Sequence, residues 1–122
     1  MKIKVGDIFY DNNGIVNFYQ VVQVYNSGRV RIREIEKEET PTECGYEFKA
    51  TPILNKFKPK RKYDKNDRYN NRYIRIKDND KGTIKVVQQF SDDEYYIDFY
   101  VGYAKLYKGE PVISSYWSVW MR

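Results

Sequence analysis

The sequence predicts an all-β domain of about eight short antiparallel strands. Three observations carry this expectation. Turn signals recur at Asp11-Asn12-Asn13-Gly14, Asn26-Ser27-Gly28, Asp78-Asn79-Asp80-Lys81-Gly82, Ser91-Asp92-Asp93-Glu94 and Lys108-Gly109-Glu110-Pro111, with runs of strand length between them. The composition is poor in Ala and Leu and rich in Val, Ile and aromatics, with thirteen Tyr, six Phe and two Trp. Such residues suit a pleated, half-buried surface. No stretch places its apolar residues at the spacing of three to four that a helix requires.

The elements follow in order. Ile3 to Tyr10 is the first strand, and Lys4-Val5-Gly6-Asp7-Ile8 resembles the opening strand of SH3-like barrels. Ile15 to Tyr25 sets Val16, Phe18, Val22 and Val24 on one face and Tyr19, Val21 and Tyr25 on the other. Arg29 to Ile35 alternates, with Val30 and Ile32 inward, and Asn26-Ser27-Gly28 joins it to its predecessor as a hairpin. Tyr46 to Leu54 is a weaker strand cut by Pro52, with room for one helical turn at Ile53 to Phe57. Arg72 to Lys77 and Thr83 to Phe90 read as a second hairpin through the Asp78–Gly82 turn. Tyr95 to Val101, Tyr103 to Tyr107 and Val112 to Trp120 complete the chain. The expected architecture is a small SH3-like or OB-like barrel or sandwich. It forms a single domain over residues 1–122 with a flexible basic loop at 55–71.

Charge is the strongest functional signal. Residues 56–77, KFKPKRKYDKNDRYNNRYIRIK, hold ten Lys or Arg against two Asp, a local balance of +8 in a chain whose total is +5. The remainder therefore sums to −3, so the positive charge is concentrated rather than spread. Tyr63, Tyr69 and Tyr73 are interleaved with Lys58, Lys60, Arg61, Lys62, Arg68, Arg72 and Arg75. Cations among flat rings suit a polyanion that carries phosphates and bases. A purely solubilising loop would mix signs.

Arg29, Arg31 and Arg33 alternate along the third strand about 7 Å apart. They could track a phosphate backbone. The alternative is a solvated face whose cross-strand neighbours are acids such as Glu47. The aromatic C-terminal region, with Tyr103, Tyr107, Tyr116, Trp117 and Trp120, reads as core or sheet edge. If exposed, it marks a partner surface, including that of a homodimer.

Catalytic material is scarce. Histidine is absent, which removes the commonest general base and zinc ligand. Cys44 is the single cysteine, sits below a run of acids and has neither disulfide nor dithiol partner, which fits a reducing cytoplasm. No phosphate-binding glycine motif is present. Acid clusters remain, at Glu34–Glu47 and at Asp92, Asp93, Glu94 and Asp98. A carboxylate-only Mg²⁺ nuclease would need such groups, but solvated strand ends account for them more simply. The expectation is a protein without enzymatic activity, cofactor or metal. No run is long and apolar enough to span a membrane.

Two segments also carry a family resemblance. Val5-Gly6-Asp7-Ile8-Phe9-Tyr10 followed by Val16-Asn17-Phe18-Tyr19-Gln20-Val21-Val22, and Tyr103 to Val112 followed by Tyr116-Trp117, are similar to a family of small uncharacterised proteins of bacteriophages and other mobile elements. In that family a DFYQVV-like run follows the first strand, where this chain has Asn17 in place of the Asp. The resemblance implies a setting, that of small phage accessory proteins, which often disarm host immunity; the expected location is the host bacterial cytoplasm. The leading expectation is an anti-CRISPR-like inhibitor that binds a host defence protein, or its nucleic-acid complex, stoichiometrically. The alternatives are a barrel that binds RNA or DNA directly and a sponge for a nucleotide immune signal.

Overall fold

A computed structural model of the protein describes residues 3–58, 61–63, 73–75, 82–89, 91–92, 94–97 and 102–116. They form ten strands: β1 (Ile8–Asn13), β2 (Ile15–Val24), β3 (Arg29–Pro41), β4 (Glu47–Phe57), β5 (Arg61–Tyr63), β6 (Tyr73–Arg75), β7 (Thr83–Gln89), β8 (Glu94–Ile97), β9 (Gly102–Leu106) and β10 (Val112–Ser115). Eight of them make one antiparallel sheet in the order β10-β4-β3-β2-β1-β9-β8-β7, and β3 also pairs with β7. That extra pairing bends β1, β2, β3, β7, β8 and β9 into a barrel-like ring, unevenly closed. The all-β expectation holds, and among the described residues there is no helix.

The sheet is organised by β1, β2 and β3, which bury both faces. Phe9, Tyr19, Val21, Val30 and Ile32 turn into the ring, where they meet Val87, Tyr95, Ile97 and Ala104. Ile8, Val16, Phe18 and Ile35 point the other way, into a second core with Ala50, rimmed by Tyr10, Phe57, Tyr107 and Val112. β4 and β10 cover this second face. Strict alternation in Ile8-Phe9-Tyr10 and Phe18-Tyr19 supplies both layers from the same strands. Aromatic edges lock each layer: Tyr95 meets Phe9 at 5.0 Å between centroids, and Tyr107 meets Phe18 at 5.7 Å.

Several expected boundaries move. Lys4–Asp7 is a turn rather than the start of a strand, closed by the Asp7 amide on the Lys4 carbonyl at 3.1 Å and the Lys4 amide on the Asp7 carboxylate at 3.0 Å. Asp11, Asn12 and Asn13 lie in β1, so the turn contracts to Gly14. Asp11 tolerates the strand because Asn17 and Tyr19 donate to its carboxylate. β3 continues past Ile35 to Pro41, since its second half finds β4 as a partner.

Pro52 does not end β4. It stands beside a bulge where Ile35 pairs Phe57 and Lys37 pairs Pro52, a place where a missing amide is tolerated. The helical turn expected at Ile53–Phe57 is this bulge. Asn55 adopts φ 65 within it. The buried Gln20 fixes that conformation, donating to the Asn55 side chain and accepting from its amide, both at 2.8 Å. β6 pairs with β5 and not with β7, so the second expected hairpin is replaced by a β5–β6 ribbon. Part of the expected 55–71 loop is thus strand, in β4 and β5.

β10 is sealed to the start of β2 by a side chain. The buried Ser114 hydroxyl accepts the Val16 amide at 2.9 Å, and the Ser115 amide donates to the Gly14 carbonyl at 3.0 Å. Because Phe18 carries the second core, Phe18→Ala is expected to cost about 3–5 kcal/mol. Denaturant unfolding measures this, with a lowered midpoint expected.

Candidate functional site

The basic segment is rooted on β3. It leaves the sheet at Lys58, whose amide donates to the Glu34 carbonyl at 3.0 Å and whose ammonium meets the Glu34 carboxylate at 2.7 Å. It returns at Gly82, whose carbonyl accepts from the Arg31 guanidinium at 3.0 Å. Ile32 pairs with Thr83 immediately afterwards. Exit and return therefore lie about two strand residues apart on β3, roughly 7 Å. They occupy the point where the edge of β3 passes from β7 to β4. Gly82 is required there: its φ is +93, and a Cβ would stand 2.5 Å from the Ile32 carbonyl oxygen.

The three β3 arginines have three environments. Arg29 is exposed. Arg31 is fastened, with Nε and Nη2 donating to the Tyr25 hydroxyl at 3.1 and 2.9 Å, and that hydroxyl donating to Gln23 at 3.1 Å. Arg33 lies over the Phe57 ring, 4.2 Å from its centroid. They do not form a uniform row of ligand groups. Nor are acids their cross-strand neighbours: Arg29 faces Val86, Arg31 faces Ile84 and Arg33 faces Gln20, while Glu47 lies opposite Ser115.

Of the remaining basic-segment candidates, Arg61, Lys62 and Tyr63 lie in β5, paired with Arg75, Ile74 and Tyr73 of β6. Antiparallel pairing thus places cation opposite cation at Arg61 and Arg75 and ring residue opposite ring residue at Tyr63 and Tyr73. Lys60, Arg68, Tyr69 and Arg72 lie outside the described residues.

The C-terminal aromatics divide. Tyr107 packs on Phe18, and the Tyr116 hydroxyl bonds both Glu39 carboxylate oxygens at 2.7 Å. Burial and that carboxylate push the Tyr116 hydroxyl up to about 12. Tyr103 is 73% exposed, its ring edge-on to Tyr96 at 5.2 Å. Trp117 and Trp120 lie outside the described residues.

Tyr103 belongs with residues not singled out in the sequence. Cross-strand partners share a face, so Arg29 with Val86, Arg31 with Ile84, Gln88 with Tyr96, and Tyr96 with Tyr103 define the outer wall of β3, β7, β8 and β9. Ile84 is 44% and Val86 47% exposed on it. The signal was available in Thr83–Gln89, where Ile84 and Val86 share one parity and Val87 has the other.

Elsewhere, the buried Asp11 carboxyl is raised above its ordinary value by burial, against the hydrogen bonds from Asn17 and Tyr19. Burial lowers the Lys37 ammonium, which donates to the Val16 carbonyl at 2.6 Å. A cleft of ≈ 370 Å³ is lined by Tyr10, Leu106, Tyr107, Lys108, Glu110, Pro111, Val112 and Ile113, without any of the three arginines. Among the described residues, no three of His, Cys, Asp or Glu converge as a metal ion would require. Asp93 and Asp98 lie outside them.

Fold and site together define an antiparallel all-β protein with a barrel-like ring, in which the chain that carries the basic segment leaves and rejoins the sheet beside its longest strand. No family model, curated protein or solved structure matches the chain.

Two outcomes check this description. Arg31→Gln should cost about 1–2 kcal/mol through its lost hydrogen bonds. Arg29→Gln should stay within about 0.5 kcal/mol. Equal effects in denaturant unfolding would contradict the structural role of Arg31. For Asp11, the folded carboxyl holds its proton more tightly than the unfolded one. That contribution is full below the unfolded value of 3.8 and is lost as pH rises through the folded value. Unfolding at several pH values should therefore show Asp11→Asn gaining stability relative to the native chain as pH rises above the unfolded value of 3.8.

Proposed function

We propose that this chain is a non-enzymatic binding protein whose basic segment grips nucleic acid. In the mobile-element setting suggested by its two ends, it acts in a bacterial cytoplasm to inhibit a host defence complex by stoichiometric occupancy of the nucleic-acid component. The observation that carries the reading is that the chain bearing the +8 segment leaves the sheet at Lys58 and rejoins it at Gly82, both held against β3. Concentrated like charge repels itself, and this self-repulsion is offset when a polyanion is bound. Anchoring at Lys58 and Gly82 shortens the reach of the chain between them and reduces the ordering needed on binding.

Lys58 already meets Glu34, and Arg31 and Arg33 are engaged with Tyr25 and Phe57. The reading therefore rests on Arg29 and on Lys60, Arg61, Lys62, Arg68, Arg72 and Arg75. Gel shifts on single- and double-stranded DNA and RNA at two salt concentrations test it. Binding at low salt should fall steeply with added salt as counterion release is lost. Changing Lys60, Arg61, Lys62 and Arg68 together to Gln should weaken it by about tenfold or more and flatten the salt slope. In an assay of the host complex the same variant should lose potency in parallel. No binding at low salt, or undiminished binding by the variant, would overturn the proposal.

A further inference from the structure

We infer that the outer wall of β3, β7, β8 and β9 is a base-stacking platform that selects single-stranded nucleic acid. The inference rests on the nucleic-acid reading above and deepens it by naming the strand state and the residues that recognise it. Residues 56–77 supply charge, which attracts duplex and single strand alike. The wall supplies what charge cannot, flat apolar surface beside a cation.

Four positions make the platform. Tyr103 presents 73% of its surface, and Tyr96 stands edge-on against it at 5.2 Å. Ile84 and Val86, 44% and 47% exposed, continue the apolar floor towards β3. There Val86 pairs with the exposed Arg29. From β3 to β9 is three strand spacings, about 14 Å, enough for a few nucleotides. An exposed ring takes a base face, which is available only when the base is not already stacked in a duplex. The guanidinium of Arg29 can lie against a base or meet a phosphate.

The charge around the wall favours this occupant. The basic segment returns to the sheet at Gly82, two residues before Ile84, and Arg31, which grips Gly82, is the cross-strand partner of Ile84. A strand drawn in by the cations thus arrives at the edge of the platform. Glu94 and Lys105 oppose each other across β8 and β9, and the exposed Asp92 lies at the β7–β8 turn, so the cationic end of the wall is the β3 end, at Arg29.

Tyr103 is exposed, so Tyr103→Ala leaves the fold intact, with thermal unfolding as the control. The probes are a fluorescent oligo-dT and a duplex of equal length, read by anisotropy over a salt series. The native chain should prefer the single strand. Tyr103→Ala should weaken oligo-dT binding by about five- to a hundred-fold, as loss of one stacked base implies, with the salt slope unchanged. Duplex binding should not change, and Tyr103→Phe should keep native affinity. If Tyr103→Ala binds oligo-dT as the native chain does, or if duplex is preferred, the platform is refuted while the basic-segment reading stands. If neither probe binds at low salt, both fall. If sedimentation shows a native dimer that Tyr103→Ala dissolves, the wall joins two copies and the inference is overturned.

Discussion

Burial of both faces of β1, β2 and β3 is the constraint on which the structure depends. Phe9 and Tyr19 fill the ring while Phe18 and Ile35 fill the layer beneath β4 and β10. A strand with two buried faces cannot slip by one residue, because a slip would exchange two complete sets of side chains. The same constraint forces polar residues caught in these strands to find partners inside the protein. Asp11 takes Asn17 and Tyr19, Gln20 takes Asn55, and the Val16 amide takes the Ser114 hydroxyl of β10. These bonds set the β4 bulge and the seat of β10, so the polar interior fixes geometry that the apolar interior leaves open.

Because β3 is held in register, its edge becomes a fixed address for whatever pairs with it. β7 occupies its first half and β4 its second, and the chain between those two partners is the basic segment. Packing thereby becomes presentation: the chain that bears the cations is fastened to β3 at Lys58 and Gly82, and Gly82 leads directly into the strand that carries Ile84 and Val86. Arg31 and Arg33 serve the fastening, through Tyr25, Gly82 and Phe57. On this account the barrel is the mount and the cations are the grip.

The sequence made the fold class legible because alternation and turn residues are local signals. The β2–β3 hairpin and the inward Val30 and Ile32 follow from them directly. What it concealed was non-local. The turn-like run Asp11-Asn12-Asn13 became strand through partners six and eight residues on, and Pro52 survived in a strand because a bulge stands beside it. Residues 73–75 pair with β5 although the turn at 78–82 argues for a hairpin with β7, because a local turn signal cannot exclude a competing strand. Charge concentration in residues 56–77 was plain, as it is a property of composition. The commitment of Arg31 to Tyr25, and the gathering of Tyr96 and Tyr103 with Ile84, depend on which strands become neighbours. Spacing along the chain does not encode that.

Backbone amide shifts recorded while oligo-dT is added to the isotope-labelled protein test the central claim most directly. The account predicts that perturbations gather on residues 58–77, on Arg29 and on β7 to β9, while β4 and β10 over the second core stay still. Shifts confined to the β4–β10 side, or none at a concentration where the strand is in excess, would contradict it.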